Sequence, residues 1–282
     1  MKLAGVVILY YPDTETVIEH IKSYANNLHK LFIYDNTDIP NQELADLINN
    51  IEGNISYIST GKNEGIAKRL NEASEKARQE GCDFLLTMDQ DSSFKPGDFE
   101  KYTSLILQSN QFNIAQFGVN HQPDFIPIKN LPEKVISLIT SGSILNLALS
   151  KKVGLFNEDF FIDFVDTEFS YRVIQNGYTN LMFSNIVLNH AIGSLVEGRS
   201  LASFKKSKRI IHSPVRVFYI VRNGLHLLFK SKGLNASMKK DVIRSMKIIK
   251  NNLIYNPQLL DVYKNLLFGV YCFVFNKQGK KL

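Results

Sequence analysis

The sequence predicts an α/β fold, a mostly parallel sheet flanked by helices and followed by a helical C-terminal extension. Three observations predict it. Four strand-like segments alternate with helix-like ones within the first hundred residues, the order that builds parallel sheets with right-handed crossovers. The first segment, LAGVVILYY at 3–11, is a continuous apolar, β-branched run, as in strands covered on both faces. Asp35, Asn36, Lys62, Asn63, Asp89 and Asp91 all fall at the carboxyl ends of these segments, where ligands of open α/β sheets bind.

Each element has its own local reason. In PDTETVIEHIKSYANNL, the apolar Val17, Ile18, Ile21, Tyr24 and Leu28 recur at helical spacing, with Asp13 or Thr14 as cap. KLFIYDNTD (30–38) is a second strand ending at Asp35-Asn36, and NQELADLINNI a second helix. ISYIST (55–60) is a third strand, and GKNEGIAKRLNEASEKARQEG (61–81) opens on glycines and continues as a helix. CDFLLTMDQDSS is the fourth strand. Beyond residue 110, FNIAQFGVN reads as a strand and PDFIPIKNLPE as a Pro-rich loop. KVISLITSGSILNLAL reads as strand, small-residue turn and strand. A helix runs from about Asp166 to Asn176, closed by Gly177. YTNLMFSNIVLNHAIGS is a strand ending at His190, followed by a small-residue turn. A boundary is expected near residue 200. It separates a domain over 1–200 from an extension over 201–282 with helical patterns at 204–231, 236–254 and 257–276.

Composition narrows the class. The 282 residues are 44% hydrophobic and 21% charged, enough for a sizeable core in one large domain or two smaller ones. Cys82 and Cys272 have neither metal-ligand spacing nor a disulfide framework, which points to a reducing cytoplasm. The N-terminus lacks the pattern of a signal peptide, and no run approaches the ~20 apolar residues of a spanning helix. LLFGVYCFVF at 266–275 is a packed or interfacial helix. The net charge of +6 hides a split: residues 201–282 hold 17 Lys and Arg against Asp241 and Asp261, or +15, leaving −9 on residues 1–200. Such asymmetry points to a partner with an anionic surface, lipid or nucleic acid, or to a solvated basic helical face.

Four stretches carry chemistry. MDQDS presents Asp89 and Asp91 at a strand end, as a hard divalent cation needs, although DSSFKPGDFEKY also reads as a capped helix start. FFIDFVDTEFSYR sets Asp163, Asp166 and Glu168 beside five aromatics. A carboxylate in a partly dry wall is a candidate general base, while Asp166 and Glu168 equally suit a helix first turn. His190 is either a structural hydrogen-bonder or a further metal ligand. STGKNEGIAKRLNEA leads glycines into a helix N-terminus, which favours anions. It matches neither the P-loop nor the dinucleotide fingerprint.

Taken together, VVILYYPD, IYDNTD, GKNEGIAKRLNEA, MDQDS, TSGSIL, FFIDFVDTEFSYR and NHAIGS, in this order over about residues 3–195, resemble a family 2 glycosyltransferase of the GT-A fold, in its bacterial rhamnosyltransferase-like branch. SPVRVFYIVRN at 213–223 resembles the segment that follows in rhamnosyltransferases. The resemblance implies roles. Tyr10, Tyr11 and Asp35 lie where the family holds the nucleotide base and ribose, and Asn63 and Gly65 on the loop flanking the nucleotide. Asp89 and Asp91 match the D-x-D pair, Asp91 being the more direct metal ligand. Asp166 aligns with the aspartate that serves as base. The glutamate that precedes it in the family is replaced by Val165, so Asp163 and Glu168 stay as alternatives. His190 matches a histidine that can complete the metal site.

The resemblance therefore implies an inverting transfer of a sugar from a nucleoside diphosphate to an acceptor hydroxyl, dependent on Mg²⁺ or Mn²⁺. The rhamnosyltransferase likeness favours dTDP-L-rhamnose as donor, with galactofuranosyl, galactosyl or glucosyl transfer as alternatives. A glycan or polyprenyl-diphosphate-linked acceptor in surface polysaccharide synthesis would suit a cytoplasmic protein peripheral on the inner face of the cell membrane. An oligomer of the chain is left open. A nucleotidyltransferase would usually carry a Gly-rich, Arg/Lys-bearing loop after the first strand, and YYPDTETV offers none. Nucleic acid is not an expected partner, because the acidic first 200 residues would repel its backbone. A non-catalytic scaffold is disfavoured by the intact acidic motifs.

Overall fold

Strand β1 (Leu3–Leu9) has apolar side chains on both faces and is buried along almost its whole length, which suits it to the middle of a covered sheet. Helix α1 (Thr14–Lys22) follows, capped by the Asp13 carboxylate on Thr16 N–H at 3.0 Å. Next come β2 (Lys30–Asp35), α2 (Gln42–Asn49), β3 (Ile55–Ser59), α3 (Ile66–Gln79) and β4 (Phe84–Asp89). Strands β3, β2, β1 and β4 lie side by side in that order, all parallel. Gly65 ends the loop into α3 at φ 83°, ψ 169°, a conformation essentially confined to glycine. The computed structural model describes residues 1–109, 111–190, 194–199 and 206–281.

The second half of the sheet is mixed. It comprises β5 (Ser92–Phe94), α4 (Asp98–Gln108), β6 (Ile114–Asn120), β7 (Glu133–Val135), β8 (Ser143–Asn146), α5 (Leu147–Val153), α6 (Val165–Gln175) and β9 (Thr179–His190). The order is β3-β2-β1-β4-β8-β6-β9-β5, with β7 also on β9. Strand β8 is antiparallel to both β4 and β6, so β6, and with it β9, again runs parallel to β4. The carboxyl ends of β1–β4, β6 and β9 consequently share one edge. The core between sheet and helices includes Leu9, Ile33, Leu86, Phe99, Phe117 and Ile186.

The chain separates into two units, residues 1–157 with 166–191, and residues 158–165 with 192–282. The second holds an antiparallel hairpin, β10 (Ser194–Arg199) and β11 (Lys206–Ile211), and helices α7 (Pro214–Phe229), α8 (Ala236–Met246), α9 (Ile248–Tyr255) and α10 (Leu259–Val274). Helix α10 packs on α7 through Val262, Val217 and Val221. Gly269 permits the approach, since a Cβ there would stand 2.9 Å from the Phe218 carbonyl oxygen. Arg222 and Asn223 of α7 hold residues 159–163 of the same unit. The Arg222 guanidinium donates to the carbonyls of Asp159 at 2.9 Å and Phe160 at 3.1 Å, and Asn223 Nδ2 to those of Ile162 and Asp163, each at 2.9 Å. That grip accompanies a strained path, with Phe161, Asp163 and Phe164 all near φ +63°.

Several elements differ from expectation. Residues 206–211 form a strand rather than the start of a helix, and α7 begins only at Pro214, where the Ser213 hydroxyl caps Arg216 N–H and proline suits the first turn. Residues 204 and 205, and the turn 191–193, lie outside the described residues. The 236–254 helix is two, because hydrogen bonding tightens to three-residue spacing around Lys247. The second strand of KVISLITSGSILNLAL stops at Asn146, whose side chain caps α5 at Leu149 N–H.

Candidate functional site

Asp89 is the last residue of β4, and the chain after it does not turn into a helix. It passes into β5, and α4 starts only at Asp98, so Asp91 is not a helix cap. Antiparallel pairing of β5 with β9 sets Ser92 opposite His190. This register brings residues almost a hundred positions apart together. One ligand atom from each of Asp89, Asp91 and His190 lies within 4.8 Å of the others. His190 Nδ1 is 3.3 Å from Asp91 Oδ1 and 2.7 Å from the Ser92 hydroxyl. Burial pushes the Asp91 carboxyl up, but the hydrogen bond and charge of His190 outweigh it and hold the group below its ordinary range. Two carboxylates and an imidazole so disposed are a chemically fitting donor set for Mg²⁺ or Mn²⁺.

Around this triad the strand-end loops are tied together. Gln90, between the two aspartates, accepts from Tyr10 N–H at 2.7 Å and donates to the Tyr10 carbonyl at 3.3 Å. Its own carbonyl is 2.9 Å from His20 Nδ1. Tyr10 and Tyr11 are about half exposed and pack edge to face at 4.8 Å. Tyr11 sits at φ 45° with its N–H on the Thr37 hydroxyl at 2.9 Å. Asp35 is fully buried. One oxygen takes Thr37 N–H at 2.8 Å and the other the Tyr57 hydroxyl at 2.6 Å. Asn63 Oδ1 accepts from Gly65 N–H at 3.1 Å, and the Gly65 carbonyl accepts from Asn36 at 3.2 Å. Beneath this loop lies Arg69, 2% exposed, which donates to Asn36 and Thr60 and pairs with Glu64 at 2.9 Å and Glu72 at 2.8 Å.

The three candidate bases differ in their surroundings. The Glu168 carboxylate is held by both forks of Arg172, at 2.6 and 2.8 Å. In the second unit, Asp163 is held by Arg216, at 2.5 and 3.3 Å. Each of these two carboxylates is thus bridged by a guanidinium through two charge-assisted hydrogen bonds. Asp166, in the first turn of α6, accepts from Thr167 N–H at 2.7 Å and the Thr167 hydroxyl at 3.3 Å.

Sequence reading missed Gln90, Arg69 and His121. The last follows β6 at the same sheet edge. Its ring stands 6.4 Å from that of His190, and burial, then the His190 charge, lower its pKa to about 4. Its position after a strand end was the available signal.

Residues 6–151 match the family model described as glycosyl transferase family 2. A "dTDP-rhamnosyl transferase RfbF" from Shigella flexneri is 27% identical over 93% of this chain and 89% of its own. Among solved structures, Staphylococcus aureus TarS 1-349 in complex with UDP-GlcNAc superposes with a TM-score of 0.60 at 15% identity, over 97% of this chain and 81% of that one. GalNAc-T7 with UDP, GalNAc and Mn²⁺ gives 0.58 at 12% identity, over 92% of this chain and 58% of that one. These structural likenesses concern the fold, which is GT-A.

Proposed function

The chain belongs to glycosyl transferase family 2 and is a glycosyltransferase. From that premise we propose that it transfers L-rhamnose from dTDP-L-rhamnose to a hydroxyl of a glycan or lipid-linked glycan, with inversion. The observation that carries this reading is the triad of Asp89, Asp91 and His190, gathered at the sheet edge by the pairing of β5 with β9. The similarity to a protein named as a dTDP-rhamnosyl transferase supports the sugar and the nucleotide.

Asp91 and His190, with Asp89 beside them, would hold a divalent cation, Mg²⁺ or Mn²⁺, whose charge offsets that of the departing diphosphate. Tyr10 and Tyr11 offer exposed aromatic faces to the base. Asp35 holds the neighbouring loop for the ribose through Thr37 and Tyr57. Asn63 and Gly65 line the nucleotide on the other side. The acceptor oxygen attacks the anomeric carbon as the bond from that carbon to the diphosphate oxygen breaks. Asp166 accepts the hydroxyl proton, while Glu168 and Asp163 are each paired with an arginine. The acceptor suits surface polysaccharide synthesis on the cytoplasmic face of the membrane, to whose anionic headgroups the +15 of residues 201–282 is attracted.

The decisive experiment is D166N. A positioned base contributes ~10²–10⁴-fold, so transfer should fall by that factor. Calorimetric binding of dTDP-rhamnose should be unchanged, and wild-type product should carry the inverted anomeric configuration by NMR. Full turnover in D166N would remove Asp166 as the base.

A further inference from the structure

Helix α10 has a packed side and, opposite it, an exposed apolar side. One side, Val262, Asn265, Gly269 and Cys272, is buried. The other carries Leu260, Tyr263, Leu267, Val270, Tyr271 and Val274 at spacings of three and four, on one face of a helix. These are solvent-exposed by 77, 51, 66, 37, 41 and 62%. Large apolar side chains scattered singly on a surface need no explanation, but a continuous stripe of six calls for an occupant.

Two occupants are conceivable, a second copy of the chain and a lipid surface, and charge decides between them. The stripe belongs to the region of 17 Lys and Arg against two acids. Two copies meeting there would bring like charges together, whereas an anionic bilayer complements them. The local chemistry agrees. Lys264, with a side chain 77% exposed and 3.6 Å from Asp261, borders the stripe, and Lys277 and Lys280 follow the helix, while Lys281 turns to its buried side, onto Asn265. Lys277 lies over the Tyr271 ring at 4.9 Å, an aromatic body with a cationic rim, the arrangement of side chains at a headgroup boundary. Sixteen residues span ~24 Å at 1.5 Å each, and no helix among the described residues is long and apolar enough to cross a membrane. The geometry of such a helix is to lie in the interface plane with its apolar face sunk among the acyl chains.

We propose that the outward face of α10 is a bilayer-insertion surface for anionic membranes, held by apolar burial as well as by charge. The assignment rests on the glycosyltransferase reading only for what the membrane would carry, a lipid-linked acceptor. The test uses the full chain and phosphatidylcholine vesicles with and without phosphatidylglycerol, at low and high salt, and the double variant L260N/L267N. Both positions are exposed, so thermal melting should not change. Wild type should co-sediment with the anionic vesicles and keep a fraction bound at high salt. The double variant should partition at least about tenfold more weakly, given two leucines no longer buried, and should lose what high salt leaves. Absence of binding to anionic vesicles, equal binding by the variant, or a wild-type dimer that the variant converts to monomer would each overturn the proposal. Donor binding measured on the same samples separates the two readings: vesicle association as stated, with no nucleotide-sugar binding, would defeat the sugar-transfer reading and leave this one standing.

Discussion

At the scale of single residues, the triad depends on charge held where burial opposes it. Asp91 is partly buried yet stays below the ordinary carboxylate range because His190 faces it at 3.3 Å. D91N keeps the shape and removes the charge. If the cation supplies several kcal/mol to the departure of the diphosphate, transfer should fall about 10²-fold or more. Release of dTDP followed by chromatography measures this directly. Turnover within a factor of two of wild type would exclude Asp91 from the metal set. The aspartates were legible because two acids at the end of an apolar run are unusual. His190 was legible as a candidate ligand only beside a resemblance, since a lone histidine after a strand has many structural uses. Gln90 and Arg69 were not legible. Gln90 acts through a pair of bonds to the Tyr10 backbone eighty residues away, and Arg69 looks like any charged residue of a helix until the fold closes over it.

At the scale of elements, the early strands and helices were legible because each is local: an apolar run, a cap, a glycine. The hairpin of β10 and β11 was not, because its strand character comes from a partner rather than from period. It leads into α7, and His212 sits at that junction. His212 Nδ1 is 3.5 Å from the Arg216 guanidinium, which itself holds Asp163. Burial first, and then the Arg216 charge, lower its pKa from 6.5 to about 4, against a smaller opposing pull from Asp163. The sign follows. Between pH 6.5 and 4 the unfolded chain binds a proton that the folded chain refuses, so the contribution is intact above 6.5 and fades as pH falls toward 4. The full loss is about 3 kcal/mol. Urea unfolding of wild type at pH 7.5, 6 and 5 should show falling midpoints, and H212N should show a shallower fall. Identical slopes in the two proteins would mean that His212 does not carry this dependence.

At the scale of the molecule, a donor held as proposed would couple its binding to folding through the shared sheet edge. Tyr10 after β1, Asp35 ending β2, Asn63 after β3 and Asp89 ending β4 come from four successive parallel strands. A ligand held by all of them binds only the folded chain and must raise its melting temperature. At a hundredfold excess over the dissociation constant the gain is ~2.7 kcal/mol, or roughly 4–5 °C for a chain of 282 residues. Of dTDP-rhamnose and the UDP- and GDP-sugars, dTDP-rhamnose with Mn²⁺ or Mg²⁺ should give the largest shift, and EDTA should abolish most of it. If instead the shift survived EDTA unchanged, the diphosphate would be held without the cation, and the triad would lose its role in donor binding. If a UDP- or GDP-sugar gave the largest shift, the fold and the triad would stand while the choice of rhamnose fell, because the proposed role of the triad is toward the diphosphate that all these donors share.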